Sequence, residues 1–380
     1  MTMQETNLKN TSINKLKAAA EKIDNQNQIK RKSQWYNLRP ILGYFNWAMF
    51  AVLLGGREVG KSYSVTNFFV DQWKNKGIPF TWLRLTEKAA GKLLQNNAEK
   101  LVDPDLRRKY DLDLITNGNN VYEVTKRTKP DKNGKTKILE KKLMARVYAL
   151  STFYNDKGSI FDKDFLDDPN MRYNVAVDEF EREKGEKNTF DISYALVNQL
   201  ENIVRSTKDR VKIFFMGNTL EEASDILCMF EFIPETWGTY KLKSKRAVIQ
   251  YIEPSEEYLK RRKGTIADLL MPEASTFTNK IDTDKSLISK DKLISPQFII
   301  KFTKNKSNWF TIWNENIVSL YKGEKKRVIA MRPYLDEIYN LDAVNNVISL
   351  FDSRSLLFRN LITFKKFQSQ LALLKPRAKK

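Results

Sequence analysis

The sequence predicts an α/β fold built on a parallel central sheet, followed by a smaller α+β unit. Three observations predict it. Apolar runs of strand length alternate with helical segments between residues 47 and 218. A glycine-rich turn joins the first such run to the first helix. Beyond Pro296 the pattern changes to short strands and then helices.

Taken in order, residues 1–34 are polar and read as an appendage. Ile13, Leu16, Ala20 and Ile23 are spaced for one short helix, and "KIDNQNQIKRKSQ" behind it reads as a linker. "WAMFAVLL" has the continuous apolar character of a strand buried on both faces. "GGREVGKS" follows, and Val65, Phe68, Phe69 and Trp73 mark a helix that Gly77 can stop. "PFTWLRL" is the next strand and 87–101 the next helix. Residues 112–150 read as a long hairpin turning at "KPDKNGK". Its tip, Lys126 to Lys137, carries six positive charges and one acid. "YNVAVDEF" is a further buried strand, followed by a helix from about Asp191 to Arg205, the strand "VKIFFMGN", and more strand in 237–252. Residues 253–295 are charged and read as a lid or linker, with "EEYLKRRKGTIADLL" helical. "QFIIKF", "NWFTIWNEN", "IVSLYK" and "KRVIAMR" are the strands of the last unit, 296–380.

Composition narrows the chemistry. The 380 residues hold 66 Lys and Arg against 46 Asp and Glu, a formal net charge of +20. That excess points to a polyanionic partner, nucleic acid before an anionic membrane surface. With no His, histidine triads, metal sites and proton shuttles are excluded. The single Cys228 excludes an intrachain disulfide and fits a reducing, cytoplasmic setting. The first residues lack an apolar signal core, and no apolar run reaches membrane-spanning length.

The motifs supply the reaction class. Gly55, Gly56, Arg57, Glu58, Val59, Gly60, Lys61 and Ser62 form a complete phosphate-loop pattern. In such a loop the backbone N–H groups turn on the phosphates, the lysine reaches the β and γ oxygens, and the serine binds Mg²⁺. "YNVAVDEF" ends in Asp178, suited to hold Mg²⁺ through water, and Glu179, suited to polarise a lytic water. Asn218 ends another buried strand, where it can sense the γ-phosphate or orient water; a permissive turn residue is the equal alternative. Arg57, Lys157, Arg205 and Arg210 are candidate cations for the charge that builds on the transferred phosphoryl group. "NKID" at 279–282 matches a guanine-reading pattern, but it lies in a polar stretch with no buried strand before it. The domains expected are therefore the appendage 1–34, an ATPase domain 35–252, the linker 253–295 and a C-terminal domain 296–380. ATP and Mg²⁺ are the expected ligands.

"GGREVGKS", "LSTFYNDKGS", "VAVDEFEREK", "NQLENIVR" and "RVKIFFMGN" occur in an order and spacing that resembles the DNA-packaging (encapsidation) ATPases of small short-tailed bacteriophages. The resemblance covers about residues 40–240 and is fainter from 296. It implies a RecA-like ATPase domain of the additional-strand, catalytic-glutamate type. It also implies a C-terminal domain resembling a degenerate RNase H-like nuclease without nuclease activity. The implied assembly is a ring, pentameric in the family, at the portal vertex of a procapsid in the host cytoplasm, pumping double-stranded DNA. By motif position Lys157 and Arg205 would reach a neighbouring subunit's nucleotide, with Arg210 the alternative to Arg205. Some members of the family also need a structural RNA. DNA contact, mostly to phosphates, is expected from Lys88 and from the hairpin residues Lys126, Arg127, Lys129, Lys132, Lys135 and Lys137. Against the hairpin stands its reading as a charged device that discourages edge pairing. A helicase-like or plasmid-partition ATPase, and a non-motor nucleotide switch, are the alternative functions.

Overall fold

The computed structural model describes residues 35–130, 136–152, 172–180, 192–207, 210–218 and 224–272, together with short elements between 297 and 362. The helix expected at 12–23, Lys157, Lys132, Lys135, the 279–282 segment and the strand expected at 326–332 lie outside the described residues.

In chain order, the first part comprises α1 (Arg39–Leu42), β1 (Phe50–Leu54), α2 (Lys61–Lys76), β2 (Phe80–Arg84), α3 (Glu87–Ala98), α4 (Pro104–Tyr110), β3 (Leu114–Asn117), β4 (Asn120–Arg127) and β5 (Ile138–Ala149). It continues with β6 (Tyr173–Asp178), α5 (Ile192–Thr207), β7 (Val211–Gly217), α6 (Asp225–Met229), β8 (Gly238–Leu242), β9 (Ala247–Tyr251), α7 (Glu256–Arg262) and α8 (Ile266–Leu270). Nine strands form one sheet in the order β3-β4-β5-β2-β6-β7-β1-β9-β8. Six of them, from β5 to β9 in that order, are mutually parallel, while β3, β4 and β8 pair antiparallel at the two margins. The expected parallel sheet is therefore a parallel centre with antiparallel margins.

Burial on both faces explains the continuous apolar runs. In β1, Ala51 and Leu53 join the cluster under α2, α3 and α4, while Val52 and Leu54 join the one under α5 and α6. Strand β7 divides the same way: Phe214 and Met216 on the first face, Ile213 and Phe215 on the second. Side chains alternate across a strand, so a sheet covered on both sides needs apolar residues at every position. Helix α2 runs between two glycines in the left-handed region, Gly60 at φ 95° and Gly77 at φ 66°. The Gly77 amide closes the helix onto the Trp73 carbonyl at 2.8 Å.

Three elements differ from expectation. The helix expected over 87–101 breaks at Gln95–Asn97, where Asn96 and Asn97 take positive φ, and a separate helix, α4, starts at Pro104 with Asp103 as its cap. Asparagine tolerates that conformation, and proline suits a first helical turn. The 112–150 hairpin has a third strand, β3, turned back by Gly118 at φ 56°. "NWFTIWNEN" and "IVSLYK" are one strand, Trp309–Leu320 (β11). It pairs antiparallel with Gln297–Phe302 (β10), Glu337–Asn340 (β12) and Leu356–Phe358 (β13). No helix among the described residues is long and apolar enough to cross a membrane.

Candidate functional site

Parallel strands bring their carboxyl ends to one edge of the sheet, and ligands of open α/β sheets bind there. On this edge β1 leads into the loop 55–60, β2 ends at Arg84, β6 at Asp178 and β7 at Gly217. A cleft of about 990 Å³ opens above them, lined by loop residues 57–62 together with Asp178, Glu179 and Asn218. The loop, Ser62, the two carboxylates and Asn218 singled out from the sequence are thus brought together.

The loop's shape depends on Gly60. Its φ of 95° suits a residue without a side chain, and a Cβ there would meet the Trp35 ring at 2.9 Å. Glu58 also takes a positive φ, 64°, which is uncommon outside glycine and costs of order 1–3 kcal/mol. The surroundings hold it: the Tyr258 hydroxyl of α7 donates to the Arg57 carbonyl at 2.9 Å, and Arg261 donates to the Glu58 carbonyl at 3.0 Å. The Arg261 guanidinium also stacks 4.7 Å from the Trp35 ring centre. The segment expected to be a lid or linker therefore begins as a brace on the phosphate loop.

Buried Lys61 donates to the carbonyls of Gly55 and Gly56 at 2.7 and 2.9 Å. The Ser62 hydroxyl donates to Asp178 Oδ1 at 3.1 Å. An arginine that the sequence reading did not single out completes the network. Arg84 reaches Asp178 Oδ2 at 3.0 Å with one guanidinium nitrogen and pairs with the Glu179 carboxylate through the other. Burial pushes the Asp178 carboxyl above its ordinary value, and the Glu179 charge adds to that. Arg84, the Ser62 hydroxyl and Lys61 pull it back down. Glu179 stands at φ 50°, with its amide donating to the Met216 carbonyl at 2.9 Å. The signal that could have found Arg84 is a cation at the end of an otherwise apolar buried strand, "FTWLR".

The remaining candidates scatter. Arg57 lines the cleft. Arg205 lies on α5, with its side chain outside the described residues, and Arg210 precedes β7 at the opposite edge of the sheet. Lys88 is exposed on the first turn of α3, just beyond the carboxyl edge. Lys126, Arg127, Lys129 and Lys137 are exposed on the hairpin, which leaves the sheet in the other direction. Arg127 is held by Asp113 through two contacts of 2.6 and 3.0 Å, so its charge is already matched.

The donors suit a polyphosphate with a hard divalent cation. The loop amides and Lys61 would face bound phosphates, and Ser62 and Asp178 offer the hydroxyl and carboxylate oxygens that Mg²⁺ prefers. Among the described residues no group of three or more His, Cys, Asp and Glu is placed to hold a metal. The oxygen set at Ser62 and Asp178 fits a cation whose other ligands are phosphate oxygens and water.

No protein-family model matches the chain. A curated DNA packaging protein of Bacillus phage phi29 is 21% identical over 280 residues, which span 72% of this chain and 74% of that protein. The DNA packaging protein of Bacillus phage PZA matches to the same extent. Among solved structures, the Phi-28 gp11 DNA packaging motor superposes with a TM-score of 0.57 at 14% identity, over 89% of this chain and 98% of that one. The bacteriophage Phi-29 viral genome packaging motor assembly gives a TM-score of 0.53 at 18% identity, over 91% and 99%. The resemblance first carried by the motifs therefore stands: in sequence and in fold the chain is similar to the DNA-packaging ATPases of small short-tailed bacteriophages.

Proposed function

We propose that the chain is an ATP-driven motor that translocates double-stranded viral DNA into a preformed procapsid. In this reading it works as a homo-oligomeric ring, a pentamer, at the portal vertex in the host cytoplasm. The observation that carries the reading is the joined set Ser62, Asp178, Arg84 and Glu179 beneath a complete phosphate loop.

Residues 55–62 hold the triphosphate, with Lys61 exchanging the carbonyls of Gly55 and Gly56 for phosphate oxygens. Ser62 and Asp178 hold Mg²⁺, which neutralises charge on the phosphates when bound. Glu179 orients and polarises the attacking water, and Arg84 fixes where that carboxylate points. Asn218 faces the same cleft and is suited to sense the terminal phosphate; Arg57 is suited to contact it. Lys157 and Arg205 of a neighbouring subunit, or Arg210 in place of Arg205, complete the site, so that turnover depends on the ring. The strands β10–β13 belong to a C-terminal domain of degenerate RNase H-like type without nuclease activity. Lys126, Lys129 and Lys137 of the hairpin give phosphate contact with DNA, and a structural RNA is a further possible partner.

The test is protection of DNA from nuclease in a mixture of the protein, ATP and cognate procapsids. Protection that needs all three, and that Glu179→Gln abolishes while ATP still binds, is the expected result. Loss of the general base lowers turnover roughly 10²- to 10⁴-fold. DNA-stimulated turnover without procapsid-dependent protection would make the chain a helicase-like or partition ATPase. Nucleotide binding without turnover would make it a switch.

A further inference from the structure

The opposite edge of the sheet has its own chemistry. There the residues just before β1, β6, β7 and β9 come together, about five residues or roughly 17 Å from the phosphate loop. The described segments that form this edge, 35–54, 172–177, 210–218 and 238–252, hold eight Lys and Arg and no Asp or Glu. Their contacts place them side by side. Arg172 donates to the carbonyl and side chain of Asn46 at 3.0 and 2.9 Å. Lys241 lies 5.5 Å from the Phe45 ring centre, and the Phe50 amide donates to the Arg246 carbonyl at 3.1 Å.

Two aromatic rings face solvent on the same edge. Tyr44 is 86% exposed and Trp47 40% exposed, on the consecutive turns that lead into β1. Single exposed aromatics are ordinary, but two set three residues apart on a strongly basic edge, where Glu231 pairs with Lys245 at 3.1 Å, are a pattern with a use. Cations that track phosphates beside rings on which bases stack are the elements of a site for unpaired nucleic acid. A duplex offers its phosphates but hides its base faces, so the rings would add nothing to duplex binding. An acidic protein surface would meet the cations but has no comparable use for rings this open.

We propose that this amino-terminal edge is a second nucleic-acid surface, which binds an unpaired stretch of RNA or DNA. Tyr44 and Trp47 stack on bases, and Arg172, Lys241, Lys243 and Arg246 contact phosphates. It is separate from the ATP cleft, and it does not depend on the motor reading.

The experiment measures fluorescence anisotropy of labelled oligonucleotides of about 16 nucleotides with the full chain and no ATP. Unstructured RNA, unstructured DNA and a blunt duplex are compared across a salt series. Replacing Tyr44 and Trp47 by Ala is expected to weaken single-strand binding about tenfold and duplex binding less than about twofold. Lys241→Gln with Lys243→Gln and Arg246→Gln is expected to flatten the single-strand salt slope by about 2, at roughly 0.7 per phosphate contact. Whichever of RNA and DNA binds more tightly identifies the source. Single-strand binding unchanged in the aromatic variant, or lost equally with duplex binding, overturns the proposal. So does a variant that binds oligonucleotides normally but no longer binds procapsids, which would make the edge a protein-docking surface. Tyr44→Ala alone removes almost no buried surface and serves if the double variant fails to fold. Because the oligonucleotide measurement contains neither ATP nor procapsids, its failure leaves the packaging test untouched.

Discussion

The two edges of the central sheet solve opposite problems with neighbouring residues of the same strands. At the carboxyl edge, charges of both signs meet and interlock: Arg84 divides its guanidinium between buried Asp178 and exposed Glu179, and Ser62 holds the other Asp178 oxygen. At the amino edge, charges are many, mostly exposed and predominantly positive, with Glu231 paired to Lys245. The first arrangement depends on geometry, since a carboxylate turned the wrong way loses its function. The second depends on a sum of weak, screened contacts, each contributing about one unit or less to a salt slope. Substitutions at the two edges should therefore fail differently, by large single losses at one and by graded losses at the other.

The sharpest way to break that contrast is Arg84→Ala. It leaves two adjacent carboxylates without their shared cation and frees Glu179 to move. ATP turnover is expected to fall about 10²-fold, at the low end of what a general base contributes. Nucleotide affinity, measured with a fluorescent ATP analogue, is expected to change only severalfold, because the loop and Lys61 are intact. Arg84→Lys keeps a charge but not the fork and is expected to recover only part of the loss. Normal turnover in Arg84→Ala would mean that the interlock is structural and the edges differ less than they look.

That Arg84 was missed, while Gly60, Lys61, Ser62, Asp178 and Glu179 were found, shows what a sequence makes legible here. The phosphate loop is local: its glycines, lysine and serine act on one ligand from one stretch of backbone, so spacing alone reveals it. Asp178 and Glu179 are marked by an abrupt change from apolar to acidic at a strand end. Arg84 has no such mark, because it matters only through β2 pairing beside β6, which is set by sheet order. The same limit applies to α7. Its sequence reads as a charged linker, and only the fold brings Tyr258 and Arg261 to the loop. The helix break at Asn96–Asn97 failed for a smaller reason, since side-chain periodicity does not report a local change of φ.

The brace from α7 gives a smaller test at the carboxyl edge. Tyr258→Phe removes one hydrogen bond to the Arg57 carbonyl and little else, a change worth about 0.5–1.5 kcal/mol. If the loop is held in its nucleotide-ready shape from outside, ATP affinity is expected to weaken about three- to tenfold, with maximal turnover nearly unchanged. Arg261→Ala, at an exposed position, is expected to do less. Equal affinity in wild type and both variants would show that the loop keeps its shape unaided, positive φ at Glu58 included.

The smallest effect concerns the exception at the amino edge. Lys212 is buried there and donates to the carbonyls of Phe45 and Ala48 at 3.1 and 2.7 Å, holding the loop that carries Tyr44 and Trp47. Burial, helped by the nearby Arg172, lowers its pKa from 10.5 to about 8. The folded protein thus binds this proton less tightly than the unfolded chain. Below about pH 8 both states are charged and the cost of burying the charge is present in full. As pH rises from about 8 toward 10 the folded state sheds the proton first, so stability should rise, by at most roughly 3 kcal/mol. The neutral amine keeps two N–H donors, enough for both carbonyls. Above about pH 10 the buried phenols of Tyr36 and Tyr173, whose pKa values burial pushes up, reverse the trend. Denaturant midpoints at about pH 8 and about pH 10 check this against Lys212→Met, which starts less stable but is expected to lack the rise. Parallel pH profiles in the two proteins would mean that Lys212 keeps its proton, and that even the buried cation of this edge behaves like its exposed neighbours.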